Sequence, residues 1–163
     1  MKQLFEQYLA YNSWANKIIS DKLLQVPQEI LHRDMGSSFG SIYQTCQHMM
    51  EVESIWWQRV NLKEPVQLPE KDAGENFPVL VEKWLQLSRQ WSNWLVEIPE
   101  KNIVHVFGYY NSKKEFFKQP VYEMLLHLVN HQTYHRGQVV TMLRQNKIDK
   151  IPATDFIKFS RKK

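Results

Sequence analysis

Four stretches of this 163-residue chain carry apolar residues with helical periodicity, each closed or opened by a proline or a capping residue. That pattern leaves few folds open, because each stretch must bury one stripe against the others, as helices do in a bundle. Residues 3 to about 25 set Leu4, Tyr8, Ala15, Ile18, Ile19 and Leu23 near one face and stop before Pro27. A second helix is predicted from Ser41, where Ser41 with Gln44 makes a capping box, through Cys46, Val52, Trp56 and Val60 to about Lys63. The third, from about Asn76 to Ile98, carries Leu80, Trp84, Leu87, Trp91 and Leu95 at alternating steps of three and four, and Pro99 ends it. The fourth follows Pro120, a residue suited to a first turn, and continues through Met124, Leu128, Val139 and Leu143 to about Asn146.

Between the third and fourth helices, IVHVFGYYNSKKEFFKQ has two aromatic or β-branched runs around NSKK and predicts a short β-hairpin. The link from about Glu64 to Glu75 is long for a bundle connection and could cross the whole bundle. The expected fold class is therefore all-α with one hairpin, as a single domain over residues 1–163, a length that suffices for one substantial core. At 43% hydrophobic and 13% aromatic the chain is too rich for disorder, and no run approaches the ~18 apolar residues of a membrane span. The N-terminus MKQLFEQYLAYNSW lacks the parts of a secretory signal, so a cytoplasmic location is expected. The net charge of +4 gathers near the C-terminus, while earlier basic residues alternate with acids, so neither a nucleic-acid partner nor a membrane is expected.

The histidines concentrate the chemistry. In HLVNHQTYHRGQVV, residues 127 to 140, His127, His131 and His135 recur every fourth position. Helical positions four apart share a face at roughly 6 Å along the axis, so an adjacent pair can hold one metal ion. Three in a row cannot, because His127 and His135 are separated by about 12 Å of rise while imidazole–zinc bonds are ~2.0 Å. Another segment must complete the site, and the natural donor is His48 of the second helix. If the second and fourth helices run parallel, His48 lies beside His127; if antiparallel, His131 with His135 is the closer pair. Spacing alone leaves both open. Cys46 is the only cysteine, which excludes sites built from cysteine pairs and any internal disulfide.

Four blocks resemble the DinB/YfiT-like family of metalloenzymes: YNSWANKII at 11 to 19, SIYQTCQHMMEVESIWW at 41 to 57, LLHLVNHQTYHRGQVVTMLRQ at 125 to 145, and IPATDFIKF at 151 to 159. The NHxxxHRGQ core of the third block is the most specific. The resemblance implies a four-helix bundle with up-down-down-up topology and a long crossover, and metal on a second-helix histidine plus the HxxxH pair, which here are His48, His131 and His135. Two departures are local: Gln119 stands where such proteins often have Thr or Ser as a cap, and the NSKK turn lacks the usual glycine.

Three neutral imidazoles leave the metal charge unneutralised and a coordination position open, the description of a catalytic site rather than a closed structural one. Zinc or nickel suits imidazole. The resemblance implies a transferase using a low-molecular-weight thiol and a small electrophile; the same site suits metal-assisted hydrolysis, and the alternative is a non-catalytic metal-binding module in stress response or assembly. Arg136 and Gln138 are candidates for contacting a substrate anion, with Arg136 equally suited to pairing with an acid across the bundle. Glu51 resembles half of a carboxylate–histidine ligand set, though it and Glu53 read more simply as solvated or salt-bridged, and His127 reads as core or as a neighbour of the site. Both rings of the Trp56–Trp57 doublet cannot point inward, so one is expected at a pocket or an oligomer contact. With Phe116–Phe117, that doublet adds to the homodimer the resemblance implies.

Overall fold

The computed structural model describes residues 1–63, 65–68 and 76–161. Its long helices are α1 (Lys2–Leu23), α3 (Ile42–Val60), α4 (Phe77–Glu97) and α5 (Val121–Gln145). Three short helical segments accompany them: α2 (Gln28–His32), a 3-10 turn at Glu100–Val104, and α6 (Phe156–Ser160). Five residues are too few to display a 3.6-residue repeat, so periodicity carried no sign of these.

Side-chain contacts fix the helix directions. Lys2 Nζ, at the start of α1, donates at 2.7 Å to the carbonyls of Val96 and Ile98 at the end of α4, so these two helices are antiparallel. Tyr43 packs on Phe77, and Trp57 on Trp91 and Trp94, which makes α3 and α4 parallel. His48 meets His131 whereas Trp56, farther along α3, meets His127, farther back on α5; these helices are antiparallel. The bundle is thus up-down-down-up. Parallel α3 and α4 place the end of the one and the start of the other at opposite ends of the bundle; Glu64 and residues 69–75 of the link expected to cross it lie outside the described residues.

Several local expectations needed correction. Leu4 is 62% exposed, because the inward stripe of α1 is Phe5, Leu9, Asn12, Asn16, Ile19 and Leu23, offset from Leu4 and Tyr8. Polar residues inside that stripe disguised it. Only half of the Ser41 box forms: Ser41 Oγ accepts from the Gln44 N–H at 3.2 Å, but the Ser41 N–H goes to the Phe39 carbonyl. α3 ends at Val60, three residues early, where Leu62 turns left-handed (φ 53°) and the Lys63 N–H closes onto the Gln58 carbonyl. At the start of α5 the capping position is Pro120, while Gln119 accepts the Tyr109 hydroxyl. The Trp56–Trp57 doublet behaves as expected: Trp56 turns inward against Tyr109, while the half-buried Trp57 packs edge-on against Trp91 and Trp94 and lines a surface pocket.

The hairpin pairs β1 (Val106–Tyr110) with β2 (Phe116–Pro120), Val106 opposite Pro120. Its turn manages without glycine because Asn111 Oδ1 accepts from the N–H groups of Lys113 and Glu115, at 2.9 and 3.0 Å, while Lys114 takes φ 62°.

The core is two apolar clusters with a polar layer between them. One gathers Ile19, Met49, Trp84 and Leu143; the other gathers Phe5, Trp91, Leu95 and Leu125. Along each long helix the positions between the clusters are polar and buried: Asn12 and Asn16 on α1, Glu53 on α3, Ser88 on α4, Gln132 and Arg136 on α5. Buried polar groups need partners, and around Glu53 the layer supplies them from within. The N–H groups of Asn12 and Asn16 donate to Glu53 Oε1 at 3.1 and 3.2 Å, and the Ser88 hydroxyl to Oε2 at 2.9 Å. Burial still pushes the Glu53 carboxyl up to about 7, against the lowering pull of those bonds and of Arg136. The sequence-based view of Glu53 as solvated is overturned: it is 0% exposed.

Candidate metal centre

The antiparallel packing of α3 and α5 selects the histidine pair. His48 Nε2 lies 3.0 Å from His131 Nε2, which lies 3.1 Å from His135 Nε2. Ligand atoms of all three fall within 4.8 Å of one another, which makes this the group able to hold a metal ion among the described residues. His127 is not part of it; it stands at the exposed side, its ring 5.7 Å from that of His131 and 5.4 Å from Trp56, and so is a neighbour rather than core. Glu51 accepts from Gln47 Nε2 at 3.0 Å and does not join the group.

Electrostatics favour the ligating form. Burial, then the neighbouring His135, lowers His48 to about 4. Burial followed by His135, His48 and His127 lowers His131 to about 3. Both are neutral at pH 7, the state in which imidazole binds metal. His135 Nδ1 is 2.7 Å from Gln138 Oε1. A carboxamide oxygen can only accept, so Nδ1 carries a proton and Nε2 is the nitrogen left to ligate, turned toward the other imidazoles.

Phe39 covers one side of the cluster, stacked on His48 at 3.9 Å and edge-on to His135 at 5.4 Å. Sequence reasoning missed this residue. The sign was available in its neighbour: Gly40 holds φ 79°, a left-handed backbone that strains any residue bearing a Cβ. The loop before α3 thus depends on that glycine to bring Phe39 over the histidines.

Of the two candidate substrate contacts, Gln138 is at the site, acting through His135. Arg136 is not: it is 1% exposed, with Nη1 donating to Asn12 and Asn16 and Nη2 to the Tyr11 and Thr133 hydroxyls. A cation so enclosed has no face for a solvent-borne anion. Cys46 is fully buried and its thiol is pushed up to about 12 by burial, which removes it as a ligand or nucleophile.

An up-down-down-up bundle with three convergent imidazoles defines a class of helical proteins compatible with metal binding. Within that class the chain belongs to the DinB family, whose sequence profile matches residues 1–159. It is 32% identical over 143 residues to Protein DinB of Bacillus subtilis (strain 168), covering 83% of this chain and 81% of that one. Its fold is similar to the crystal structure of a DinB-like protein from Bacillus cereus, with a TM-score of 0.70, 17% identity, and 91% of this chain and 94% of that chain covered. Among the described residues no helix is long and apolar enough to cross a membrane.

Proposed function

We propose that this protein is a divalent-metal-dependent enzyme that transfers a low-molecular-weight thiol to a small electrophile, with zinc or nickel held by His48, His131 and His135. The observation carrying this reading is a donor set of three imidazoles with no carboxylate or thiolate among them. Such a set fits a metal that keeps its charge and an open position. When bound, the ion supplies a Lewis acid that lowers the pKa of a thiol or a water molecule. The chain's own residues hold and orient: Gln138 fixes the His135 tautomer, and Phe39 limits water on one side. With Cys46 sealed in the core, the thiol must be a cosubstrate. In the transfer its S–H proton is lost, a new C–S bond forms, and the electrophile's leaving group departs.

Conjugation of a chromogenic aryl halide by bacillithiol, glutathione, mycothiol or coenzyme A should proceed faster with metal-loaded protein than with His135→Ala. Equal rates for every thiol would defeat the transferase reading. Ester hydrolysis that distinguishes the two proteins would then favour a hydrolase, and its absence a non-catalytic module.

The proposal extends to a homodimer, supported by Phe116 and Phe117, 53% and 44% exposed on the two faces of β2. Light scattering should report twice the 19.6 kDa chain mass; the single mass across a broad concentration range would exclude it.

A further inference from the structure

The three site histidines share a sequence relation that spacing alone does not explain. Each is followed directly by a residue of the bundle interior: Met49 after His48, Gln132 after His131, Arg136 after His135, at 0%, 0% and 1% exposure. These interior residues are tied together across helices. Gln132 Nε2 donates to the Met49 carbonyl at 2.8 Å, a direct bond from α5 to α3. Asn16 Nδ2 stands 3.5 Å from Gln132 Oε1 and 3.2 Å from Glu53 Oε1, linking Gln132 to the polar layer. Arg136 Nη1 donates at 2.8 Å to both Asn12 and Asn16, whose amides face Glu53.

Apolar packing between two helices is non-directional and tolerates small slides and rotations. A metal site does not, since its ligands must be held within about 0.5 Å of the productive geometry. His48 comes from α3 and the other two ligands from α5, so the relative placement of those helices sets the site. The Gln132–Met49 bond is directional, buried, and one residue removed from the His48–His131 contact on both helices. Its loss would leave the buried Gln132 Nε2 without its acceptor, which opposes any register that breaks it.

We infer that Gln132, backed by the Asn12–Asn16–Glu53–Arg136 network, is a positioning residue of the metal centre, holding α3 and α5 in the register that brings His48 to the His131–His135 pair. The inference rests on the metal site proposed above. It separates Gln132, whose amide bonds α3 directly, from Ser88 on α4, whose hydroxyl belongs to the same buried layer but bonds Glu53 and Asn16 and neither Gln132 nor the Met49 carbonyl.

The test uses the full chain with zinc, followed by dye-competition titration, and with cobalt, followed by visible absorption, alongside thermal melts. Gln132→Met, similar in length but without hydrogen bonds, should lose about 10- to 100-fold in zinc affinity, the range typical of groups that orient ligands, and should alter the cobalt spectrum. Ser88→Ala should lower the melting temperature yet keep affinity and spectrum. Should the methionine variant fail to fold, Gln132→Asn keeps an amide in the core but draws it back from the Met49 carbonyl, and the same loss is expected. Wild-type affinity and spectrum in a folded Gln132 variant, or affinity losses that merely track melting temperature in the Gln132 and Ser88 variants alike, would overturn the inference while sparing the metal site. Wild type that binds neither ion would overturn the site itself and the inference with it.

Discussion

Alanine in place of His48, His131 or His135 should each lower divalent-metal affinity by more than about 100-fold, beyond what loss of an orienting partner typically costs. With three protein ligands, removing one leaves two donors, and water must fill the gap. His127→Ala should retain most of the affinity, because its ring adjoins His131 without joining the convergent group. Elemental analysis and competition titration on the four variants check this, and metal content unchanged in the His131 and His135 variants would refute the assignment. Protons compete for the same nitrogens, so affinity in wild type must fall on acidification. Burial delays that competition at His48 and His131, which are lowered to about 4 and about 3. Their loss of affinity should therefore set in at more acidic pH than the 6.5 of an ordinary imidazole.

How this centre could be read from sequence, and how the layer beneath it could not, has a physical cause. Positions 48, 131 and 135 are chemically distinctive, and helical geometry excludes a site containing both His127 and His135. The remaining ambiguity was topological, since His48 suits His127 in a parallel arrangement and the His131–His135 pair in an antiparallel one. Family resemblance pointed to the second, and the contacts between α3 and α5 establish it. The reading of Arg136 as paired with an acid across the bundle came close, but Glu53 as solvated and Arg136 as a substrate contact were misjudged for a different reason. Each is a charged residue on an amphipathic helix, where solvent exposure is the ordinary outcome. What keeps both inside is a pair of amides, Asn12 and Asn16, offering an acceptor to the cation and a donor to the anion. These partners are about 40 and 120 positions away in sequence, so no local pattern announces them. The lost signal was the polar interruption of the α1 stripe itself, Asn12 and Asn16 at positions where apolar residues were expected.

Arg136→Met should destabilise the fold by about 3–5 kcal/mol, the cost of stranding one member of a buried charged set, and lower the melting temperature by about 10 °C. The substitution leaves two Asn oxygens without their donor and Glu53 without a compensating cation. Its pH dependence identifies Glu53 as the stranded group. The folded-state value of Glu53, about 7, lies above its ordinary 4.5, so the native chain holds a proton that the unfolded chain releases. That contribution is complete below pH 4.5 and is lost as pH rises through about 7. His48 and His131 act in the opposite sense: their lowered values make a contribution that is present above 6.5 and lost as pH falls toward about 4 and about 3. Because the two trends overlap, the difference in unfolding free energy between wild type and Glu53→Gln is the informative quantity. It should decline by about 3 kcal/mol between pH 4.5 and 7, at roughly 1.4 kcal/mol per pKa unit. In the Arg136→Met background the pull that lowers Glu53 is gone, so the same decline should extend to higher pH. Denaturant titrations across that range decide the matter: a difference that stays flat with pH, or a window that does not move when Arg136 is replaced, would mean that the two charges are not coupled through Asn12 and Asn16.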